Sequence, residues 1–479
     1  MLIKRDFYIN GQWVAPAAPH DCIVHDPSTE EPCAVISLGG QADTDAAVAA
    51  ARAALPGWSA TSAPGRLELA ERILAAYTAR ADAMAAAISL EMGAPIDMAR
   101  SDQVSAGTTH ITNFITAFRA FEFIRPLGPQ APQTRIAFEP VGVAGLITPW
   151  NWPMNQIALK VIPALLAGCT MVLKPSEIAP LSALLFAEIL DEAGVPPGVF
   201  NLVNGDGPGV GTQLSTHPDV AMISFTGSAR AGIAITKAAA DSLKKVALEL
   251  GGKGANLIFA DADAEAVKRG VRHCFNNSGQ SCNAPTRMLV ERSAYARAVE
   301  IARETALATR VASAHEPGRH IGPVVSAAQY AKIQALIETG IAEGARLVAG
   351  GPGRPDGLNR GWFVRPTVFA DVTPDMTIAR EEIFGPVLSI MAFDTEQEAL
   401  EIANGTPYGL TNYVQTADGP RRNRLARHLR SGMVEMNGVS RGPGAFFGGV
   451  GASGRAREGG HWGIEEFLDS KAISGWFGD

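Results

Sequence analysis

The sequence is short of cysteine pairs, of clustered histidine and of charge of any one sign, and each shortage removes a class of protein. Cys22, Cys33, Cys169, Cys274 and Cys282 are odd in number and scattered, with no Cys-x-x-Cys pair. That spacing argues against a disulfide framework and a zinc site, and it points to a reducing, cytoplasmic compartment. Close histidines such as His315 and His320 do not fall on one helix face, so no metal is expected. Net charge is −7, from 41 basic and 48 acidic residues without a like-charge block, which argues against nucleic acid or an anionic membrane as a partner. The densest basic patch, Arg421, Arg422, Arg424, Arg427 and Arg430, reads as the solvated face of a helix. No apolar run follows the charges of residues 1–7, so no secretory signal is expected. Charge is absent from residues 141–159, near the length that spans a bilayer, but Pro149, Asn151 and Pro153 interrupt that stretch, and buried core with a functional break is the better reading.

What the chain has is length and rhythm. Its 479 residues exceed one hydrophobic core and predict two or three units. Phe7-Tyr8-Ile9 and Gln12-Trp13-Val14 flank Asn10-Gly11, a hairpin signal. Alanine-rich helices are expected over residues 41–55 and 66–92, the second stopped by Gly93 and Pro95, and a third over 98–121. After a proline-rich interruption, residues 134–138 alternate like a strand with few local partners, which suggests pairing elsewhere, on another subunit. Short apolar runs at 141–147, 169–174, 199–203, 220–225 and 245–250 then alternate with helical segments, the pattern of an α/β doubly wound parallel sheet. Such sheets bind ligands at the carboxyl ends of their strands. A second series follows: a strand at 255–259, a helix over 262–275, strands at 287–290, 387–393, 410–415 and 432–435, and a terminal strand at 471–474, with mostly helix and loop between 291 and 363.

The chemically unusual residues fall at strand ends. Trp150-Asn151 follows the first strand of the sheet, and Asn151 is a polar amide in an apolar run. Lys174 to Glu177 follows the second, and reads either as a clamp on ribose hydroxyls or as a surface ion pair. Thr226-Gly227-Ser228 follows the fourth, where a helix start fits both an anion site and a plain N-cap. The glycine run 205–211 lacks the phosphate-loop spacing and reads as a turn. Glu249, between leucines, is costly to bury unless paired or protonated, so it is a structural ion pair or a functional base. Cys282, among Gly279, Gln280, Ser281 and Asn283, is the one cysteine in a small, polar setting and hence the candidate nucleophile, against the ordinary fate of a free cysteine as a small buried hydrophobe.

Six motifs stand in order: Thr148-Pro149-Trp150-Asn151-Trp152-Pro153, Lys174-Pro175-Ser176-Glu177, Phe225-Thr226-Gly227-Ser228, Glu249-Leu250-Gly251-Gly252-Lys253, Gly279-Gln280-Ser281-Cys282 and Glu381-Glu382-Ile383-Phe384-Gly385-Pro386. In this the chain resembles the NAD(P)-dependent aldehyde dehydrogenase family over nearly its whole length. The resemblance implies a Rossmann-type cofactor domain (residues 1–121 and 141–250), an α/β catalytic domain (251–440) and a small oligomerising β-extension (122–140 and 441–479) of a homodimer or homotetramer.

It also implies roles. Cys282 attacks an aldehyde, Asn151 and the Cys282 backbone N–H hold the oxyanion, and Glu249 activates the water that hydrolyses the thioester to a carboxylic acid. Thr148, Pro149, Trp150, Lys160, Lys174, Ser176, Glu177, Phe225, Thr226, Gly227, Ser228, Leu250, Gly251, Glu382 and Phe384 would hold NAD. NADP is disfavoured, because two like charges about 4 Å apart repel by about 4 kcal/mol at an effective dielectric of 20, and Glu177 would face the 2′-phosphate. Met154, Leu159, Ser281 and Asn283 would flank the aldehyde, and Arg441 would either pair with a substrate carboxylate or form a loop ion pair. One departure is Ala456, where the family has glycine. A CoA-acylating enzyme, which would not need Glu249, and a non-catalytic relative are the competing readings.

Overall fold

The computed structural model describes residues 1–477 and carries four β-sheets. The first large sheet begins with the hairpin β1 (Phe7–Ile9) and β2 (Gln12–Val14), whose turn residues Asn10 and Gly11 take φ of 53° and 76°. Five parallel strands follow: β3 (Val143–Ile147), β4 (Thr170–Lys174), β5 (Phe200–Leu202), β6 (Met222–Thr226) and β7 (Lys245–Glu249). Their spatial order is β7-β6-β3-β4-β5-β1-β2. Connections therefore run outward from β3 through β4 to β5, then cross back to β6 on the other side. The strand order reverses between β3 and β6, and an open parallel sheet leaves its ligand crevice at the carboxyl ends flanking such a reversal.

The second large sheet contains β8 (Ala255–Ile258), β9 (Arg287–Glu291), β10 (Arg346–Ala349), β11 (Thr367–Ala370), β12 (Val387–Phe393), β13 (Thr411–Gln415) and β14 (Met433–Met436). The order is β10-β11-β12-β9-β8-β13-β14, parallel except at β10. Only Leu250 to Gly254 separate β7 from β8, so the carboxyl end of the first sheet leads directly to the amino end of the second. A third sheet joins Leu2–Lys4, Glu31–Ser37 and Asp21–Asp26.

The strand at Thr134–Pro140 pairs within its own chain, antiparallel to both Ile124–Pro126 and the terminal Leu468–Ser474, in a fourth sheet. Two helices depart from expectation. The alanine-rich run is two helices, Ala63–Ala79 and Ala81–Met92, bent by 68° at Arg80. Periodicity runs straight through that bend because both pieces bury apolar faces in the same core. The next helix enters as a short turn, Ile96–Met98, widens into a π-helical turn, Ala99–Val104, and only then continues as Ser105–Arg119. Strands β10 and β11 were also unexpected. The glycine run is a π-helical turn, Gly207–Gly211, broken at Gly209 and capped by Asp206, whose carboxylate accepts from the Gly209 N–H at 2.6 Å. No single helix among the described residues is long and apolar enough to cross a membrane.

Candidate active site

The crevice at the carboxyl ends of β3 and β6 is a cavity of about 210 Å³. Pro149, Trp150 and Asn151 enter it from β3, Thr226, Gly227 and Ser228 from β6, and Leu250 and Gly251 from the end of β7. Cys282, Glu382 and Phe384 close it from the second sheet. Gln329 and Lys332 also line it, which the sequence did not reveal. Both sit on the helix Ala327–Ala342, in a stretch without any local motif. Gln329 Nε2 donates to the Phe384 carbonyl at 2.8 Å and Lys332 Nζ to the Glu382 carbonyl at 2.8 Å, so they fix the loop that carries both residues. Phe384, at φ 61°, meets Trp150 edge to face with ring centres 5.4 Å apart.

The groups present suit a dinucleotide. Ser228 caps the helix Ala229–Ala239, accepting from the Ala231 N–H at 3.3 Å, and the helix start presents N–H groups and a dipole to an anion. The Thr226 hydroxyl is buried without a partner. Glu382 accepts from the Gly252 N–H at 2.9 Å, and burial raises its carboxyl above the ordinary range. Thr148, Phe225, Lys174, Ser176 and Glu177 lie at strand ends but outside this cavity's wall. Lys174 is buried, donates to the carbonyls of Pro175 (2.8 Å) and Gly205 (2.6 Å), and stands 3.5 Å from the Glu177 carboxylate. Lys160 faces elsewhere: its ammonium is buried against Glu458 and bonds Ser224 Oγ at 3.1 Å.

The cysteine loop is held under strain. Asn277, Ser278 and Gly279 take φ of 52°, 57° and 73°, a left-handed run in which only glycine is at ease. Side chains over-determine it: Ser278 Oγ donates to the Gly322 carbonyl (2.8 Å), and Gln280 Oε1 accepts from the Val325 N–H (2.9 Å). Asn151 Nδ2 donates to the Gln280 carbonyl at 3.0 Å, with its second N–H left over. Trp152 Nε1 donates to Ser281 Oγ at 2.8 Å, and the Tyr413 hydroxyl to the Asn283 carbonyl at 2.6 Å. Gly252 is required, because a Cβ there would overlap the Cys282 carbonyl oxygen. The Cys282 thiol is pushed well up, first by burial, then by the nearby carboxylates of Glu382 and Glu249; its own backbone N–H acts in the opposite direction.

Glu249 is the electrostatic outlier. It is 2% exposed, and neither carboxylate oxygen has a hydrogen-bond partner. Burial holds its carboxyl well above the usual carboxylate range, and the charge of Glu458 pushes the same way, against Lys160 and Arg457. A Cβ on Gly448 would overlap the Ala456 carbonyl oxygen and come within 3.1 Å of Glu249 Oε1, so glycine is required in this wall beside the carboxylate. Ala456 sits in the same wall, buried and with negative φ, a position that tolerates its methyl group.

A second cavity, also about 210 Å³, includes His110, Phe114, Arg441, Phe447 and Glu458 in its wall. His110 Nε2 bonds Asn155 Oδ1 at 2.7 Å, and burial lowers its pKa to about 4, so the ring is neutral. Arg441 lies 3.6 Å from the Glu435 carboxylate and 4.9 Å from the Phe447 ring centre, and donates to the Phe446 carbonyl at 3.2 Å. Met154 and Leu159 are buried in the helix Pro153–Ala167 and touch neither cavity wall.

Comparison with known proteins agrees with this geometry. The model of the aldehyde dehydrogenase family matches residues 13–473. A 3-succinoylsemialdehyde-pyridine dehydrogenase from a Pseudomonas species is 52% identical over 476 residues, covering 99% of each chain. The crystal structure of an aldehyde dehydrogenase from Bartonella henselae superposes with a TM-score of 0.99 at 62% identity, over 99% of this chain and 100% of that one. A mutant of aldehyde dehydrogenase C from Pseudomonas syringae, complexed with NAD+ and octanal, gives 0.97 at 49% identity, over 99% and 97%. The chain belongs to the aldehyde dehydrogenase family.

Proposed function

We propose that the protein oxidises a neutral aldehyde to its carboxylic acid with NAD, using Cys282 as nucleophile, Asn151 as oxyanion donor and Glu249 as the base that delivers water. The observation that carries this reading is the buried, unbonded Glu249 carboxyl, set close enough to Cys282 to raise its thiol. A carboxyl with a raised pKa is suited to general-base work near neutrality. A CoA-acylating enzyme would have no use for it.

NAD, when bound in the first cavity, supplies the hydride acceptor. The chain's own groups do the rest. Cys282 adds to the aldehyde carbon as its thiolate, the thiol proton passing to water, and the oxyanion of the resulting thiohemiacetal takes hydrogen bonds from the free Asn151 N–H and the Cys282 backbone N–H. Oxidation leaves a thioester on Cys282. Glu249 accepts a proton from water as the water attacks the thioester carbon; the C–S bond then breaks, the acid leaves, and the proton held by Glu249 is returned to the Cys282 sulfur or to solvent. Burial raises the proton affinity of Glu249; Glu458 adds to it, and Lys160, paired with Glu458, opposes it. Ser228 and the helix it caps suit the pyrophosphate, and Lys174 with Glu177 suits the adenine ribose, which favours NAD over NADP.

The second cavity suits the aldehyde's far end, because Glu458 in its wall adjoins Glu249. Its histidine is neutral and its arginine already has Glu435, so a neutral body fits better than a carboxylate. Octanal and a pyridine-bearing semialdehyde, the compounds named with the two Pseudomonas relatives, are neutral in this sense. The first large sheet then acts as the cofactor unit and the second as the catalytic unit. The fourth sheet, whose Leu468–Ser474 strand is mostly exposed along one free edge, suits assembly into dimers or dimers of dimers. Five free thiols suit a reducing cytoplasm.

The test is a panel of hexanal, octanal, a pyridyl keto-aldehyde and succinic semialdehyde, run with NAD and with NADP. The expected result is NADH with free acid and no need of CoA, best with the neutral aldehydes. Strict CoA dependence, or no turnover of any aldehyde, would overturn the reading.

A further inference from the structure

One buried amide outside the recognised motifs touches both halves of the site. Gln103 lies in the π-helical turn Ala99–Val104 and is fully buried. Its Nε2 donates to the Asn151 carbonyl at 3.2 Å and to Asn277 Oδ1 at 3.3 Å. Asn277 Nδ2 in turn donates to the Asn151 carbonyl at 2.9 Å and to the Gln280 carbonyl at 3.3 Å, and Asn151 Nδ2 completes the circuit to the Gln280 carbonyl at 3.0 Å. Gln103 thus grips the backbone of the residue meant to hold the oxyanion and the first left-handed residue of the cysteine loop.

The chemistry at that point is selective. The groups facing Nε2, the Asn151 carbonyl, Asn277 Oδ1 and the Met92 sulfur at 3.9 Å, are all acceptors, so only a donor can bridge them; an apolar side chain of equal volume would leave Asn277 Oδ1 without its donor and the Asn151 carbonyl with Asn277 Nδ2 alone. The other end of the amide, Oε1, is buried with no partner. A buried polar atom left unpaired is costly and calls for a reason. The π-turn has the same character, since such turns are rare and frequent at functional sites. Both are explained if the side chain is there for its two N–H groups.

We infer that Gln103 is a positioning residue that fixes the Asn151 amide against the Cys282 loop, so that the oxyanion donor stands ready before the aldehyde arrives. The inference rests on the proposed oxyanion role of Asn151. A misplacement of about 1 Å at a reacting centre costs about 100-fold, so Gln103→Met should slow the pre-steady-state NADH burst by about 10- to 100-fold. The KM for NAD should stay within about twofold, because the cofactor wall does not include Gln103.

The deciding experiment is a double-mutant cycle on the burst rate, with Gln103→Met, Asn151→Ala and the pair. If Gln103 acts through Asn151, adding Gln103→Met to Asn151→Ala changes the rate by less than about threefold. Losses that multiply, or a normal burst in Gln103→Met beside a slow one in Asn151→Ala, overturn the inference alone. A normal burst in Asn151→Ala overturns the oxyanion reading and the inference with it. Should Gln103→Met fail to fold, Gln103→Glu serves instead. Its carboxyl donates only when protonated, so its burst relative to the unaltered enzyme should recover as pH falls, and a ratio independent of pH contradicts the inference.

Discussion

The two large sheets meet the cleft in opposite ways. The first presents the carboxyl ends of β3 and β6, regular strand and helix termini whose free N–H groups and dipoles require no unusual backbone. The second presents the amino side of β9 through a loop in which Asn277 and Ser278 hold left-handed conformations, each costing about 1–3 kcal/mol. The electrostatics divide the same way. Lys174 and Glu177 at the end of the first sheet are paired, whereas burial disfavours the charged forms of both Glu249 and Cys282, where the sheets join. In the proposed reaction the binding groups sit at rest, while strain and desolvation gather at the groups assigned to bond making and breaking.

That contrast can be broken from either side. The largest effect belongs to Cys282→Ala, which should lower turnover by at least about 10⁴-fold while NAD affinity by titration stays within a few-fold. A loss of NAD binding of the same size would mean that the loop and the cofactor wall are one unit. Next comes pH. A general base must be ionised to act, so with Glu249 raised above the ordinary carboxylate value of about 4.3, kcat should fall as pH drops through a limb above that value. Glu458→Gln removes a charge that raises Glu249 and leaves Lys160 uncompensated, so the limb should move to lower pH; a shift upward would reverse the assigned electrostatics. The smallest effect is on the cofactor side. Glu177→Gln should raise kcat/KM with NADP by only a few-fold, as befits about 1 kcal/mol for a partly exposed charge.

How much of this was legible follows the same division. Strands β3 to β7 stand out because each is a short apolar run bounded by turn residues, and their order alone puts Trp150, Thr226 and Glu249 at one end of the sheet. Cys282 stood out by composition, and the order of six motifs gave the family. The motif spacing cannot say that Lys160 turns to β6, where Ser224 and Glu458 receive it. The bend at Arg80 and the π-turn were invisible because helix propensity and apolar period continue across both. Gln103, Gln329 and Lys332 carry no local signal at all; they matter only through partners far away in the chain.

The central claim is that Glu249 acts after hydride transfer, on the thioester, and Glu249→Gln tests it most directly. Rapid mixing of that variant with aldehyde and NAD should give a burst of about one NADH per active site, followed by steady turnover lowered by about 10²–10⁴-fold. Loss of the burst together with the turnover would contradict the account, because Glu249 would then be needed to form the thioester rather than to hydrolyse it.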